Sequence, residues 1–308
     1  MSAGGSKRAV VAALLANLGI AVAKFVGFAI TRSSSMLAEG VHSLADTGNQ
    51  LLLLLGGRRA QQAPNADHPF GYGRERYFWA FVVSIVLFTL GSAFAIFEGV
   101  EKLLHPHPVD SPSVAIVILL VAAVLEGFSF RTAIHESNPL RDGASWAQFI
   151  RRAKAPELPV LLLEDSGALI GLIIALLCLV LTVVTGSAMW DGLGSTLIGL
   201  LLGAIAIVLA TEMKSLLIGE SASESDQAAI STAIDGAPRV TGIIHLRTEH
   251  IGPEELLVGA KVDFDPTLSF TELAAAIDEI EDRIRSAVPS ARVIYIEPDV
   301  ARDHPTSD

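Results

Sequence analysis

A histidine and an aspartate, His42 and Asp46, stand four residues apart in the stretch SSSMLAEGVHSLADTGNQLLLLLGG. On a helix, this spacing places both side chains on one face, one turn apart. Ionisable groups at membrane depth are costly, and they usually face a partner, a cavity or a transported ion. An imidazole and a carboxylate can supply two of the four ligands of a divalent metal. The pair therefore predicts half of a metal site; the alternative is a pair of interhelical hydrogen-bond partners.

Two adjacent acids, Glu164 and Asp165, interrupt a second apolar stretch, PVLLLEDSGALIGLIIALL. Two like charges this close in lipid disfavour each other unless a cation or a proton is shared between them. Together with the first pair, they offer one nitrogen and two or three carboxylate oxygens, which suits Zn²⁺ and is compatible with Mn²⁺ or Fe²⁺. Because metal ligands must be deprotonated, a site open alternately to each side of a membrane would couple metal export to proton import.

The elements that must position these residues are apolar helices. Of the 308 residues, 51% are hydrophobic and only 18% are charged, and the mean hydropathy is +0.51. Soluble domains carry about 25% charged residues, so the composition indicates a membrane protein. We predict an all-α transmembrane domain over residues 1–212, with the two clusters in its second and fifth spans. Six segments approach the length of about 20 residues that a span needs: 8–31, 34–57, 78–103, 113–134, 159–185 and 190–212.

The loops carry the orientation signal. Basic residues collect before the first span, between the second and third, and at or after the end of the fourth, so the positive-inside rule predicts that both termini are cytoplasmic. The N-terminal run has no early cleavage site and contains Lys24, which favours a retained first helix. We see no organellar transit peptide and therefore expect a bacterial plasma membrane. The single cysteine, Cys178, leaves no disulfide framework, and no basic, aromatic patch suggests nucleic acid binding.

Other ionisable residues in the spans have different predicted roles. We expect Glu126 to be a structural hydrogen-bond partner rather than a ligand. Asp191 opens the sixth span, where an interfacial position would cost little. The segment from His135 to Leu158 is either a solvated loop or includes a short interfacial helix around SWAQFIRRAK.

The chain becomes polar and acidic after the last span. The pattern predicts a helix, two strands, a helix and a strand, which together form a small α+β domain over residues 213–300, followed by a disordered tail at 301–308. No catalytic or nucleotide-binding motif stands out in this domain. A dimerisation or regulatory role is therefore the favoured interpretation.

The whole chain resembles the cation diffusion facilitator family of divalent metal–proton antiporters. The resemblance rests on SSSMLAEGVHSLADTGNQ, DHPFGYGRERY, EDSGALIGLIIA and VIYIEPD, and the second-span and fifth-span motifs are most similar to the zinc transporter nine-like branch. It implies six spans, a homodimer, a cytoplasmic ferredoxin-like C-terminal domain and a tetrahedral site built from spans 2 and 5. By position, it assigns His42, Asp46 and Asp165 as ligands.

One position departs from the family pattern. Leu161 stands where the common zinc members have a histidine or aspartate, and leucine cannot bind a metal. Glu164 is the nearest replacement, although it points about 100° around the helix from Asp165. Water or another span are the alternatives. Histidines of two further zinc sites in relatives correspond here to Tyr72 and, in the C-terminal domain, to Ile244, Ala260 and Tyr295, so we predict no binuclear zinc site in that domain.

The function predicted by these features is secondary active export of Zn²⁺, or a similar divalent cation, from the cytoplasm in exchange for protons. The metal is the transported substrate, and no organic cofactor is expected. Two alternative functions would use the same ligands: a membrane-embedded metalloenzyme with Glu164 as general base, and a metal-sensing scaffold. The absence of an HExxH motif counts against the enzyme.

Overall fold

The computed structural model describes residues 3–141 and 143–300, with side chains from Asn17 onward. The predicted disordered tail at 301–308 and the first basic side chains, Lys7 and Arg8, lie outside the described residues. The chain divides into two compact units. One comprises the chain up to Arg59 together with Tyr77–Lys214, and the other comprises Ala60–Arg76 together with the chain from Ser215 onward.

The first unit consists of long helices and one short helix. The elements are α1 (Ala3–Thr31), α2 (Ser34–Ala60), α3 (Glu75–Val86), a π-helical segment (Leu87–Ala93), α4 (Phe94–Leu104), α5 (Pro112–Arg141), α6 (Trp146–Arg152), α7 (Glu157–Thr185) and α8 (Met189–Ile218).

Among the described residues, four helical rods are long and apolar enough to cross a membrane: α5, α7, α8 and the continuous rod Glu75–Leu104, which comprises α3, the π-helical segment and α4. The polar side chains of α2 lower its hydropathy, and the apolar part of α1 covers only Asn17–Thr31.

Small residues bring α4 and α8 into close contact. A Cβ atom added to Gly99 would lie 2.5 Å from the Thr196 backbone nitrogen, and one added to Gly199 would lie 2.6 Å from Ile96 Cγ1. Close approach through glycine is the usual packing mode of membrane helices, because lipid provides no hydrophobic drive for helix association. This contact fixes the start of α8, which carries Asp191, beside the end of α4.

The connection between α5 and α7 is mostly helical. Helix α5 continues to Arg141, seven residues beyond the apolar run that ends at 134, and Gly143, with φ +76°, follows it. Helix α6 then begins at a capping box, in which Ser145 Oγ accepts from the Gln148 backbone N–H at 3.2 Å and the Ser145 N–H donates to Gln148 Oε1 at 3.0 Å. Of our two alternatives, the short helix is therefore correct. Its Phe149 packs against Ala133 of α5 and Leu162 of α7.

The second unit contains a three-stranded sheet with two helices on one face. Its elements follow one another as predicted from the sequence: α9 (Glu224–Asp235), β1 (Val240–Gly252), β2 (Glu255–Phe264), α10 (Phe270–Ala287) and β3 (Ala291–Asp299). The strands lie in the order β1-β2-β3, with β1 and β2 antiparallel and β2 and β3 parallel. Alternate residues of β2 are buried beneath the helices, as expected for a sheet covered on one face.

An ion pair and a helix cap stabilise this unit. Arg74, in the segment 60–76, forms an ion pair with Glu249 of β1. At the start of α10, the Ser269 hydroxyl and backbone N–H both donate to Glu272 Oε2, at 2.7 and 2.9 Å. These hydrogen bonds stabilise the carboxylate and lower the pKa of Glu272 below its usual value of 4.5.

Candidate metal site

Helix α2 holds His42 and Asp46 on one face, one turn apart. His42 Nδ1 lies 3.5 Å from Asp46 Oδ1, and the histidine side chain is fully buried. Both imidazole nitrogens and Asp46 Oδ1 are buried, and none has a hydrogen-bond partner among the described residues. Buried polar atoms are rarely left without a hydrogen-bond partner, and a site that binds a cation is one setting in which this occurs. The pair can offer a nitrogen and an oxygen to a cation.

Helix α7 directs its two acids toward different neighbours. Glu164 Oε1 accepts a hydrogen bond from Asn49 Nδ2 of α2 at 2.7 Å, whereas Asp165 Oδ2 accepts one from Ser129 Oγ of α5 at 2.9 Å. Both side chains are buried. Successive helical residues point about 100° apart, which explains why the adjacent acids face different helices.

The structure does not gather these residues into one cluster. Among the described residues, no group of three or more His, Cys, Asp or Glu side chains is close enough to hold a metal ion. The charges of Glu164, Asp165 and Glu126 nevertheless lie within electrostatic range of Asp46. The α2 pair is therefore assembled, while the two α7 acids are held by Asn49 and Ser129. A four-ligand site would require these hydrogen bonds to be exchanged for metal contacts.

Leu161 has a packing role in this structure. It lies one turn before Asp165 on α7 and contacts the apolar cluster that joins Phe149 of α6 to Ala133 and Leu162. The position where the family resemblance implies a ligand therefore contributes to the junction of α5, α6 and α7.

A buried ion pair next to the candidate ligands was not predicted. Lys24 Nζ of α1 donates to Glu39 Oε2 at 2.9 Å and to Ser43 Oγ at 2.7 Å, and both Lys24 and Glu39 are fully buried. The sequence places Lys24 in the first predicted span and Glu39 in the second. Their presence in the first two spans was the available signal, because charges at membrane depth usually pair with one another.

Asp191 lies in the first turn of α8, where we expected it, but it is enclosed by other helices. Its carboxylate is fully buried and contacts Lys102 Nζ at 2.9 Å. It also accepts from Ser33 Oγ at 2.6 Å and from the Ser34 backbone N–H at 2.7 Å. These groups lie at the start of α2, where unpaired backbone N–H groups attract a carboxylate. Asp191 thus anchors the helix that carries His42 and Asp46.

The structure also describes the residues that correspond to the histidines of the two further zinc sites. Tyr72 packs its ring 4.5 Å from the His68 ring in an exposed turn of the second unit. On β2, Ala260 is buried, while Ile244 and Tyr295 are exposed on the neighbouring strands. The absence of a binuclear zinc site in this unit stays a prediction.

The sequence matches one family along almost its entire length. Residues 10–218 match the description "Cation efflux transmembrane domain", and residues 222–299 match "Cation efflux protein, cytoplasmic domain". The two matches together cover both clusters of candidate ligands and the three-stranded sheet.

Individual relatives agree with this match. The mitochondrial proton-coupled zinc antiporter SLC30A9 of Homo sapiens is 34% identical over 244 residues, which are 79% of this chain and 43% of that protein. The chain therefore spans less than half the length of this relative. The cation-efflux pump FieF of Shewanella oneidensis is 27% identical over 287 residues, 92% of this chain and 90% of that protein. A solved MamM C-terminal domain covers 26% of this chain and 94% of its own, with 19% identity and a TM-score of 0.24.

Proposed function

Because the chain belongs to the cation efflux, or cation diffusion facilitator, family, whose members are transporters rather than enzymes, we propose that it exports Zn²⁺ or a similar divalent cation in exchange for protons. The observation that carries the proposal is the pair of His42 and Asp46 on α2, where both imidazole nitrogens and Asp46 Oδ1 are buried without a hydrogen-bond partner among the described residues. Because buried polar atoms without such partners are costly, we propose that a cation or protons occupy the pair during the transport cycle.

The proposed ligands are His42 and Asp46 from α2 and Asp165 from α7. Glu164 is the proposed fourth ligand, since Leu161 has no metal-binding atom. During loading, the metal would replace the hydrogen bonds that Asn49 donates to Glu164 and Ser129 donates to Asp165. Protons that leave the ligands as the metal binds, and return after it is released, would couple the two fluxes.

The names of two relatives support the proposed activity. The human relative is named a proton-coupled zinc antiporter, and FieF is named a cation-efflux pump. We propose by analogy six spans within residues 1–212, a ferredoxin-like domain over 213–300 that forms a homodimer, and a bacterial plasma membrane with both termini in the cytoplasm. Four apolar helices in the described residues make the chain an integral membrane protein.

The test is metal flux in proteoliposomes with an imposed pH gradient. We expect the wild-type protein to accumulate Zn²⁺ only while the gradient lasts, and Asp46→Asn, which keeps the side-chain volume, to abolish the flux. Glu136→Gln removes an exposed acid at the end of α5 and is the matched control, with wild-type flux expected. Accumulation of Zn²⁺ against its own concentration gradient without a pH gradient would contradict the exchange mechanism. Wild-type flux in Asp46→Asn would contradict the site.

A binding titration separates the two α7 acids. We compare the Zn²⁺ affinity of Glu164→Gln with that of Asp165→Asn in detergent-solubilised protein. If both residues are ligands, both variants lose affinity by at least about tenfold, which corresponds to about 1.4 kcal/mol. Unchanged affinity in Glu164→Gln removes this residue from the ligand set and leaves water or another span as the source of the fourth ligand.

A further inference from the structure

The ion pair of Lys24 and Glu39 shares the face of α2 that carries the candidate ligands. At 100° per residue, Glu39, Ser43 and the two ligands fall within a sector of about 100°. Glu39 lies about 4.5 Å along the helix axis from His42 and about 10 Å from Asp46. The ammonium group of Lys24 is within electrostatic range of His42, Asp46 and Glu126. The pair is therefore a neighbour of the transport pathway.

Glu39 has the chemistry of a metal ligand. Its side chain is fully buried, and its Oε1 atom has no hydrogen-bond partner among the described residues. A Cβ atom added to Gly171 of α7 would lie 2.5 Å from this oxygen, so α7 has room for the carboxylate only because residue 171 is glycine. Glu39 thus extends from α2 toward α7, the helix that supplies the other two acids.

The Lys24 ammonium group satisfies the second oxygen of Glu39. The contacts to Glu39 Oε2 and Ser43 Oγ, at 2.9 and 2.7 Å, hold a fixed positive charge where a mobile cation would otherwise bind. In a low-dielectric interior, a tethered cation and a divalent ion compete directly for the same carboxylate.

We propose, on the basis of the proposed transport function, that Lys24 is a specificity-determining residue that holds Glu39 as a permanent counter-ion and prevents it from binding the transported metal or its exchanged protons. Metal and proton exchange are thereby confined to the His42 and Asp46 pair and the α7 acids. Without the lysine, Glu39 becomes an additional acid in the pathway, close to the ligands, and binds either a proton or the metal.

The test measures the KM for Zn²⁺ and the number of protons exchanged per metal in proteoliposomes. We expect Lys24→Met to lower KM by at least about tenfold, since a unit charge about 10 Å from a divalent ion exceeds this effect even at an effective dielectric constant of 20. The variant should also exchange one more proton per metal. The near-isosteric Glu39→Gln leaves the ammonium uncompensated and should raise KM by a similar factor.

Two further variants separate this role from a merely structural one. Lys24→Arg keeps the charge and should keep the wild-type KM and proton ratio. The double variant Lys24→Met with Glu39→Gln removes both charges and should return both values toward wild type. If the two single variants shift KM in the same direction, or the double variant is as altered as Lys24→Met, the inference is wrong. Absence of flux in wild-type protein refutes the transport proposal instead, so the two failures are distinguishable.

Discussion

Replacing Asp191 by alanine tests how the ligand-bearing helix is anchored. The carboxylate is fully buried and pairs with Lys102 Nζ at 2.9 Å. It also accepts hydrogen bonds from Ser33 and from the Ser34 backbone at the start of α2. Removing one partner of a buried pair costs about 3–5 kcal/mol, and losing a helix cap costs about 1 kcal/mol. We therefore expect Asp191→Ala to lower the free energy of unfolding by about 4–6 kcal/mol.

The assay is thermal unfolding of the purified protein in detergent, followed by far-ultraviolet circular dichroism. For the 308 residues of this chain, a loss of this size corresponds to a fall in Tm of about 6–9 °C, from an unfolding entropy of about 2.1 cal/mol/K per residue. Glu101→Gln is the matched control, because Glu101 pairs with His105 through exposed side chains and should change stability by less than about 1 kcal/mol.

A second variant separates the charge from the cap. Asp191→Asn combined with Lys102→Met keeps an oxygen that can accept from the start of α2 and leaves no buried charge uncompensated. We expect it to recover more than half of the lost stability, since a neutral replacement of a buried pair is often nearly neutral in free energy. If the free energy of unfolding of Asp191→Ala lies within about 1 kcal/mol of the wild-type value, Asp191 does not anchor α2.

Three further predictions concern other parts of the chain. Phe149→Ala removes the buried ring that joins α6 to α5 and α7 and should cost about 3–5 kcal/mol in unfolding experiments, whereas Phe128→Ala, on the exposed side of α5, should cost little. Gly171→Ala should lower Tm by displacing the Glu39 carboxylate. In a background that already carries Glu39→Ala, the same glycine substitution should cause little further loss, because the carboxylate it would displace is gone. Because the pKa of Glu272 is lower in the folded protein, its contribution to stability is present above pH 4.5 and is lost as the pH falls through the folded-state pKa. When the free energy of unfolding is measured as a function of pH, Glu272→Gln should therefore lose less stability than the wild-type protein over this range.

The predictable part of the fold followed from periodicity and turn residues. In the C-terminal domain, alternation in β2 and the Ser269 cap before α10 are local signals, and the structure has the predicted elements in the predicted order. The stretch after residue 134 was ambiguous, because its hydropathy falls while its backbone stays helical. There, Ser145 and Gln148 form a capping box that starts α6, and the tertiary contact of Phe149 with α5 and α7 gives that short helix an apolar partner.

One part of the candidate site could be predicted from the sequence and the other part could not. A spacing of four residues is enough to place His42 beside Asp46, because helical geometry is local. The directions of Glu164 and Asp165 depended instead on neighbours distant in sequence, Asn49 and Ser129, which no spacing rule relates to α7.

The sequence by itself determined the membrane class, the family and the residue pair with which this chain can bind a cation. These properties follow from composition, sequence motifs and helical periodicity, all of which are local features of the sequence. Only the tertiary structure decided which buried charges neutralise one another. Lys24 of α1 pairs with Glu39 of α2, and Lys102 of α4 pairs with Asp191 of α8. Each charge is costly in a low-dielectric interior until the packing of the helices supplies its partner.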